Sequence, residues 1–147
     1  MSDFHRGKAA VLDTWTISLS GAQQIIDAAL ARAEELNCRV SIVVIDAGGN
    51  VSALARRDGT GATATTIALN KATTALTLRQ PTDVFVESVQ ANQVLVTSLA
   101  CQPGFALNAG GLPITVDGAV VGAMGVSGAR DGKDVVIARA GVDTLDR

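Results

Sequence analysis

The residues of this chain able to do chemistry are few, and they fall in four short stretches: Arg57-Asp58, Lys71, Gly110-Gly111 and Asp134. Arg57 offers a forked donor to a carboxylate or phosphate, and Asp58 can fix its orientation; the two could equally form an exposed ion pair of little energetic consequence. Lys71 lies four residues after Ile67 and four before Ala75, on or beside the small apolar face of a predicted helix. Its ammonium either reaches an edge along its aliphatic stem or points into a pocket. Gly110-Gly111 lets backbone come close to a neighbour or ligand because no Cβ intervenes. Asp134 either caps a helix N-terminus or serves a site. Convergence of these groups near the glycine pair would give an anion clamp, a pair of backbone amide donors and carboxylates that move protons. That is enough for isomerisation, tautomerisation or hydrolysis of a small anion. With or without turnover, Arg57, Lys71, Gly110 and Gly111 are the expected ligand-binding residues, with the ligand by the Gly110-Gly111 end of the hairpin; in an enzyme Lys71, Asp58 and Asp134 are the catalytic candidates.

Other reactive side chains are isolated. Cys38 and Cys101 form no CxxC or Cys/His cluster, so they read as two buried free thiols and not as a zinc site. Neither Cys101 nor Ser127 has a histidine nearby in sequence to activate it. His5 is the one imidazole in the chain. It is either a solvated tail residue or a metal or haem ligand, and no other metal site is expected. Met124 reads as core filling.

These residues have to be positioned by a core of unusual make-up. The 147 residues are 48% hydrophobic but only 3% aromatic, with no tyrosine, so Ala, Val, Leu and Ile must build the interior by close backbone packing. The length suits one domain; residues 1–17 are read as a polar leader and 18–147 as that domain. The net charge of −2, with 12 basic and 14 acidic residues spread along the chain, provides no basic stripe for nucleic acid. The apolar runs fall far short of the ~20 residues of a membrane span, and the start carries no signal-peptide pattern, so a cytoplasmic protein without a membrane partner is expected.

A helix over 20–36 is predicted from capping-box spacing at Ser20 and Gln23 and from Ile26, Ala29, Leu30, Ala33 and Leu36 on one face, with Asn37 as its stop. The run 40–46 has little polar alternation and is expected to be a central strand. Asp46 and Asn50 flank a turn that leads to a partner strand over 51–56. Residues 62–78 carry six threonines yet keep an alanine face, which predicts a helix that Pro81 closes. A short helix over 83–91 follows; 93–100 fits helix or strand. Asp117-Gly118 is a two-residue turn joining strands over 112–116 and 119–126. Period two places Val120, Met124 and Val126 on one face of the return strand and Ala119, Val121, Ala123 and Gly125 on the other. A last helix is predicted over 132–145, with Ile137, Ala138, Gly141 and Leu145 buried.

Several blocks in unchanged order carry a family resemblance: Val44-Ile45-Asp46-Ala47-Gly48-Gly49-Asn50, Arg57-Asp58-Gly59, Ala68-Leu69-Asn70-Lys71-Ala72-Thr73-Thr74-Ala75, Gly110-Gly111-Leu112-Pro113-Ile114, Asp117-Gly118, Val121-Gly122-Ala123-Met124-Gly125-Val126-Ser127-Gly128-Ala129, and Asp134 with Ala138 and Gly141. Over residues 18–145 the chain resembles the GlcG/HbpS family, which includes the C-terminal domain of PduO-type proteins. The resemblance implies an α+β fold of profilin-like type, an antiparallel sheet with helices packed on it, in a homo-oligomer of up to eight subunits. It implies a small-molecule ligand, haem or a small organic acid, with haem or corrinoid binding in some members. Fold is implied more firmly than function. The expectation is thus a small-molecule-binding oligomer; the alternatives are the enzyme on a small anion outlined above and an oligomer without turnover.

Overall fold

In the computed structural model, residues 10–145 are described. The elements run α1 (Leu19–Glu35), β1 (Ser41–Asp46), β2 (Val51–Arg56), α2 (Ala64–Leu78), α3 (Thr82–Val89), α4 (Gln93–Ala100), β3 (Gly111–Val116), β4 (Ala119–Ser127) and α5 (Lys133–Val142). The four strands form one antiparallel sheet in the order β2-β1-β4-β3. The fold is therefore α+β, as expected. No helix among the described residues is long and apolar enough to cross a membrane.

β1 pairs on both sides, and this explains its unbroken apolar sequence. Ile42 and Val44 face α1 and α5 together with Leu112, Ile114, Met124 and Val126. Val43 and Ile45 face the alanines of α2, namely Ala68, Ala72 and Ala75. Removing each such Val or Ile side chain from water stabilises the fold by about 1.5–3 kcal/mol. Because small residues line this second interface, α2 lies directly on β4: a Cβ at Gly125 would sit 2.8 Å from the Ala72 nitrogen and closer still to the Ala68 carbonyl oxygen. On the opposite face Gly141 brings α5 against α1, where a Cβ would fall 2.9 Å from the Ile25 carbonyl oxygen.

The threonines of α2 are accommodated by local bonds. Thr74 and Thr77 donate to the carbonyls of Asn70 and Thr73, at 2.7 and 2.8 Å, and the Thr65 and Ser41 hydroxyls share a bond of 2.8 Å. Arg79, with φ of 54°, ends the helix in the left-handed region just before Pro81. The expected turn chemistry is present at two hairpins. Asp46 Oδ1 accepts from the Gly48 and Asn50 amides, each at 2.9 Å, and Asp117 and Gly118 have φ of 49° and 79°, the paired positive values of a type I′ turn.

Several boundaries differ from expectation for identifiable reasons. α1 begins at Leu19, and its cap lies two residues before the expected Ser20, because Ser18 Oγ accepts from the Gly21 amide at 3.1 Å. Asn37, with φ of 51°, does follow its end. Val121 joins the α1/α5 face with Met124 and Val126 rather than the opposite face. A bulge causes this: Ile114 pairs with Gly122 but Thr115 pairs with Val120, so Val121 has no partner and the alternation slips by one residue. Residues 93–100 are helical, with Asn92 Oδ1 accepting from the Leu95 amide at 3.0 Å. Cys38 is buried as expected, but Cys101, at the end of α4, is exposed, since α4 has no buried residue.

Candidate functional site

Lys71 and Asp134 meet at the Ser127 end of β4. The Lys71 Nζ donates to Asp134 Oδ2 at 2.9 Å and to the Val126 carbonyl at 2.8 Å, and its side chain is 1% exposed. Asp134 Oδ1 accepts from the Ala129 amide at 2.9 Å, so one carboxylate joins α2, the loop after β4 and α5. Gly110 closes over this pair. With φ of +121°, it would carry a Cβ 3.0 Å from Lys71 Nζ and 2.6 Å from the Val126 oxygen. Gly111 packs on the Lys71 main chain, and its amide donates to Thr82 Oγ1 at 3.0 Å. The glycine pair therefore lets strand and helix approach. One of the two amides that an oxyanion site would use is already bonded.

Arg57 and Asp58 lie in a second cluster. Arg57 Nη1 donates to the carbonyls of Cys38, at 2.5 Å, and Ala33, at 3.2 Å, near the negative end of the α1 dipole. Asp58 joins Asn37, Arg39, Arg56 and Arg57 around a hollow of about 370 Å³. The structure thus brings Lys71, Asp134, Gly110 and Gly111 together, and gathers Arg57 and Asp58 at a separate hollow.

A third region forms at the other end of β4, around Trp15. Ile17 is held there by its amide, which donates to the Val121 carbonyl at 2.9 Å. One hollow at Trp15, of about 530 Å³, is lined by Ile17, Val116, Val121 and Leu145 among others. A second, of about 430 Å³, is bounded by Asp13, Arg79, Asp117 and the start of β4. Thr14 and Trp15 line both. Trp15 itself is 60% exposed, a large apolar surface without cover among the described residues. Sequence reasoning passed over this residue within the leader, although it is the only tryptophan and stands just before a capped helix. Arg79 carried no signal beyond its place at a helix end.

Met124 is wholly buried beside Gly141, and Ser127 is 6% exposed. Among the described residues no group of three His, Cys, Asp or Glu side chains could hold a metal ion. His5 lies outside the described residues.

Comparison with known proteins accords with this architecture. The family described as haem degrading protein HbpS-like matches residues 17–143. An uncharacterized 15.0 kDa protein from the dhaT-dhaS intergenic region of Citrobacter freundii is 38% identical over 129 residues, covering 87% of this chain and 91% of that protein. The crystal structure of Klebsiella pneumoniae protein ORFY superposes with a TM-score of 0.87 at 32% identity, over 95% of this chain and 97% of that one. A crystal structure described as a PduOC:heme complex superposes with a TM-score of 0.81 at 25% identity, over 89% of this chain and 96% of that one. With the family matched across nearly the whole described core and the same sheet and helices found in these structures, the chain belongs to the HbpS-like family.

Proposed function

We propose that this protein binds haem, or a tetrapyrrole of the same shape, in the cleft around Trp15. The observation that carries this is that an apolar hollow and a more polar one share the exposed Trp15 in their walls. Haem is a flat apolar disc with two carboxylates on one edge. Trp15, Ile17, Val116, Val121 and Leu145 offer the apolar wall, and Arg79 offers a forked donor for one propionate, while Asp13 and Asp117 in the same hollow would turn the other propionate out to solvent. The described residues fit the disc but offer the iron no ligand at the cleft: no Cys, His or Met lines either hollow, Met124 and Cys38 are buried in the core, the exposed Cys101 lies at the end of α4, and the sequence has no tyrosine. His5 is nine residues before Thr14, and nine residues of extended chain span about 30 Å, so it is the residue we assign as axial ligand. When bound, haem would supply an iron centre open to axial ligation and electron exchange. The family's description and the haem complex of the PduOC structure support the same ligand class.

An enzyme built on Lys71, Asp134, Arg57 and Asp58 is not favoured, because Lys71 and Asp134 neutralise each other in the interior while Arg57 and Asp58 line another hollow. In our reading Lys71, Asp134, Gly110 and Gly111 form the frame that fixes the end of β4. Self-association is part of the proposal. It is supported by the apolar surface left open on α3 and α4, where Val84 is 50% and Val94 82% exposed.

Titration of the apo-protein with haemin, followed by absorbance, tests the assignment. Saturation at one haem per chain is expected, with the ligated Soret band lost in His5→Ala and the affinity lowered at least tenfold in Trp15→Ala. Unsaturable binding, or variants indistinguishable from the parent, would overturn it.

A further inference from the structure

The hollow lined by Asn37, Arg39, Arg56, Arg57 and Asp58 has a charge pattern that the haem proposal does not use. Three guanidiniums share it with one carboxylate, and among the described residues none of the three forms an ion pair. Their hydrogen bonds go to main-chain carbonyls. Arg56 donates to the Thr60 carbonyl, and Arg57 to those of Cys38 and Ala33. Such bonds hold a guanidinium in place without neutralising it, and each of these forks keeps further N–H groups free of the bonds named. Arg39 is positioned differently. Gly59, with φ of +78°, lies against it so closely that a Cβ would be 3.2 Å from Cδ and 3.3 Å from Nε. A side chain at that position would displace the arginine.

We propose that this hollow binds a small organic dianion, whose carboxylate or phosphate oxygens are taken up by Arg39, Arg56 and Arg57. The volume of about 370 Å³ lies at the small end of ligand pockets, too large for a halide and suited to two anionic groups a few carbons apart. Arg is the fitting residue because its planar fork matches both oxyanions in a bidentate manner. Asp58, at the same hollow, would accept from a hydroxyl or amine on the ligand and would repel a third anionic group. The site is distinct from the Trp15 cleft. Arg56 pairs with Ser41, and Ser41 with Ser127 at the end of β4, whereas the Trp15 hollows touch Ala119, Val120 and Val121 at its start.

Calorimetric titration with succinate and with inorganic phosphate, at ionic strength held constant with sodium chloride, tests this. Arg39→Gln and Arg56→Gln are the informative variants; Arg57 is left intact because it holds the end of α1. One anion per chain is expected to bind saturably, at least tenfold more weakly in either variant, while the haemin titration stays as in the parent for both and the unfolding midpoint without ligand does so for Arg39→Gln, the variant that removes no bond to Thr60. Preference for succinate or for phosphate identifies which oxyanion the site takes. Heat no different from that of added chloride, or equal affinity in parent and both variants, would overturn the proposal.

Discussion

Replacing Lys71 by methionine removes the ammonium while keeping most of the stem's volume, and so isolates the electrostatic role of a side chain that is 1% exposed. Two bonds are lost, to Asp134 at 2.9 Å and to the Val126 carbonyl at 2.8 Å. Asp134 keeps its bond from the Ala129 amide and is 13% exposed, so water relieves only part of its charge. Breaking a buried pair from one side costs about 3–5 kcal/mol, chiefly through the stranded partner. For a protein of this size that is a large share of a total stability of about 5–15 kcal/mol. Urea unfolding followed by Trp15 fluorescence should show a lower midpoint with an unchanged slope. Adding Asp134→Asn to Lys71→Met should restore part of the loss, because the second change removes the stranded charge, and the cycle then gives the coupling directly. A loss below about 1 kcal/mol in Lys71→Met would place the ammonium in water and refute the closed frame.

Two further outcomes follow from the packing. Gly125→Ala should destabilise by about 3 kcal/mol, the upper end for overpacking, because α2 must lift from β4 to clear the Ala68 carbonyl; a loss under about 0.5 kcal/mol would mean that the helix is not seated there. Of the two cysteines, Cys101 should react with a thiol reagent in the native protein and Cys38 only on unfolding, and equal native rates would contradict the burial of Cys38.

How much of this was legible in the sequence varies with how local the cause is. The uniform run of β1, the Asp117-Gly118 turn and the alanine face of α2 are local patterns, and each appears where the pattern put it. Ser18 and Ser20 are equally good caps by type. What selects Ser18 is the tie of Ile17 to the Val121 carbonyl, a partner more than a hundred residues away. The inversion of Val121 depends on a bulge that only strand pairing creates. The sites obey the same logic. Lys71 and Asp134 could be named as candidates by type, but their mutual bond depends on how α5 docks. Trp15, Arg79, Val121 and Leu145 come from four separate stretches, and Arg39 joins Arg56 only through the register of β1 with β2. No spacing rule finds such clusters.

The most direct measurement is a methyl and indole NMR titration with zinc protoporphyrin IX, a diamagnetic disc whose ring current marks its neighbours. The haem-cleft proposal predicts the largest shifts at the Trp15 indole and the methyls of Ile17, Val116, Val121 and Leu145, with Val84 and Val94 nearly unmoved. Shifts concentrated instead on Val84, Val94 and Leu95 would put the tetrapyrrole on the open face of α3 and α4 and contradict the Trp15 cleft.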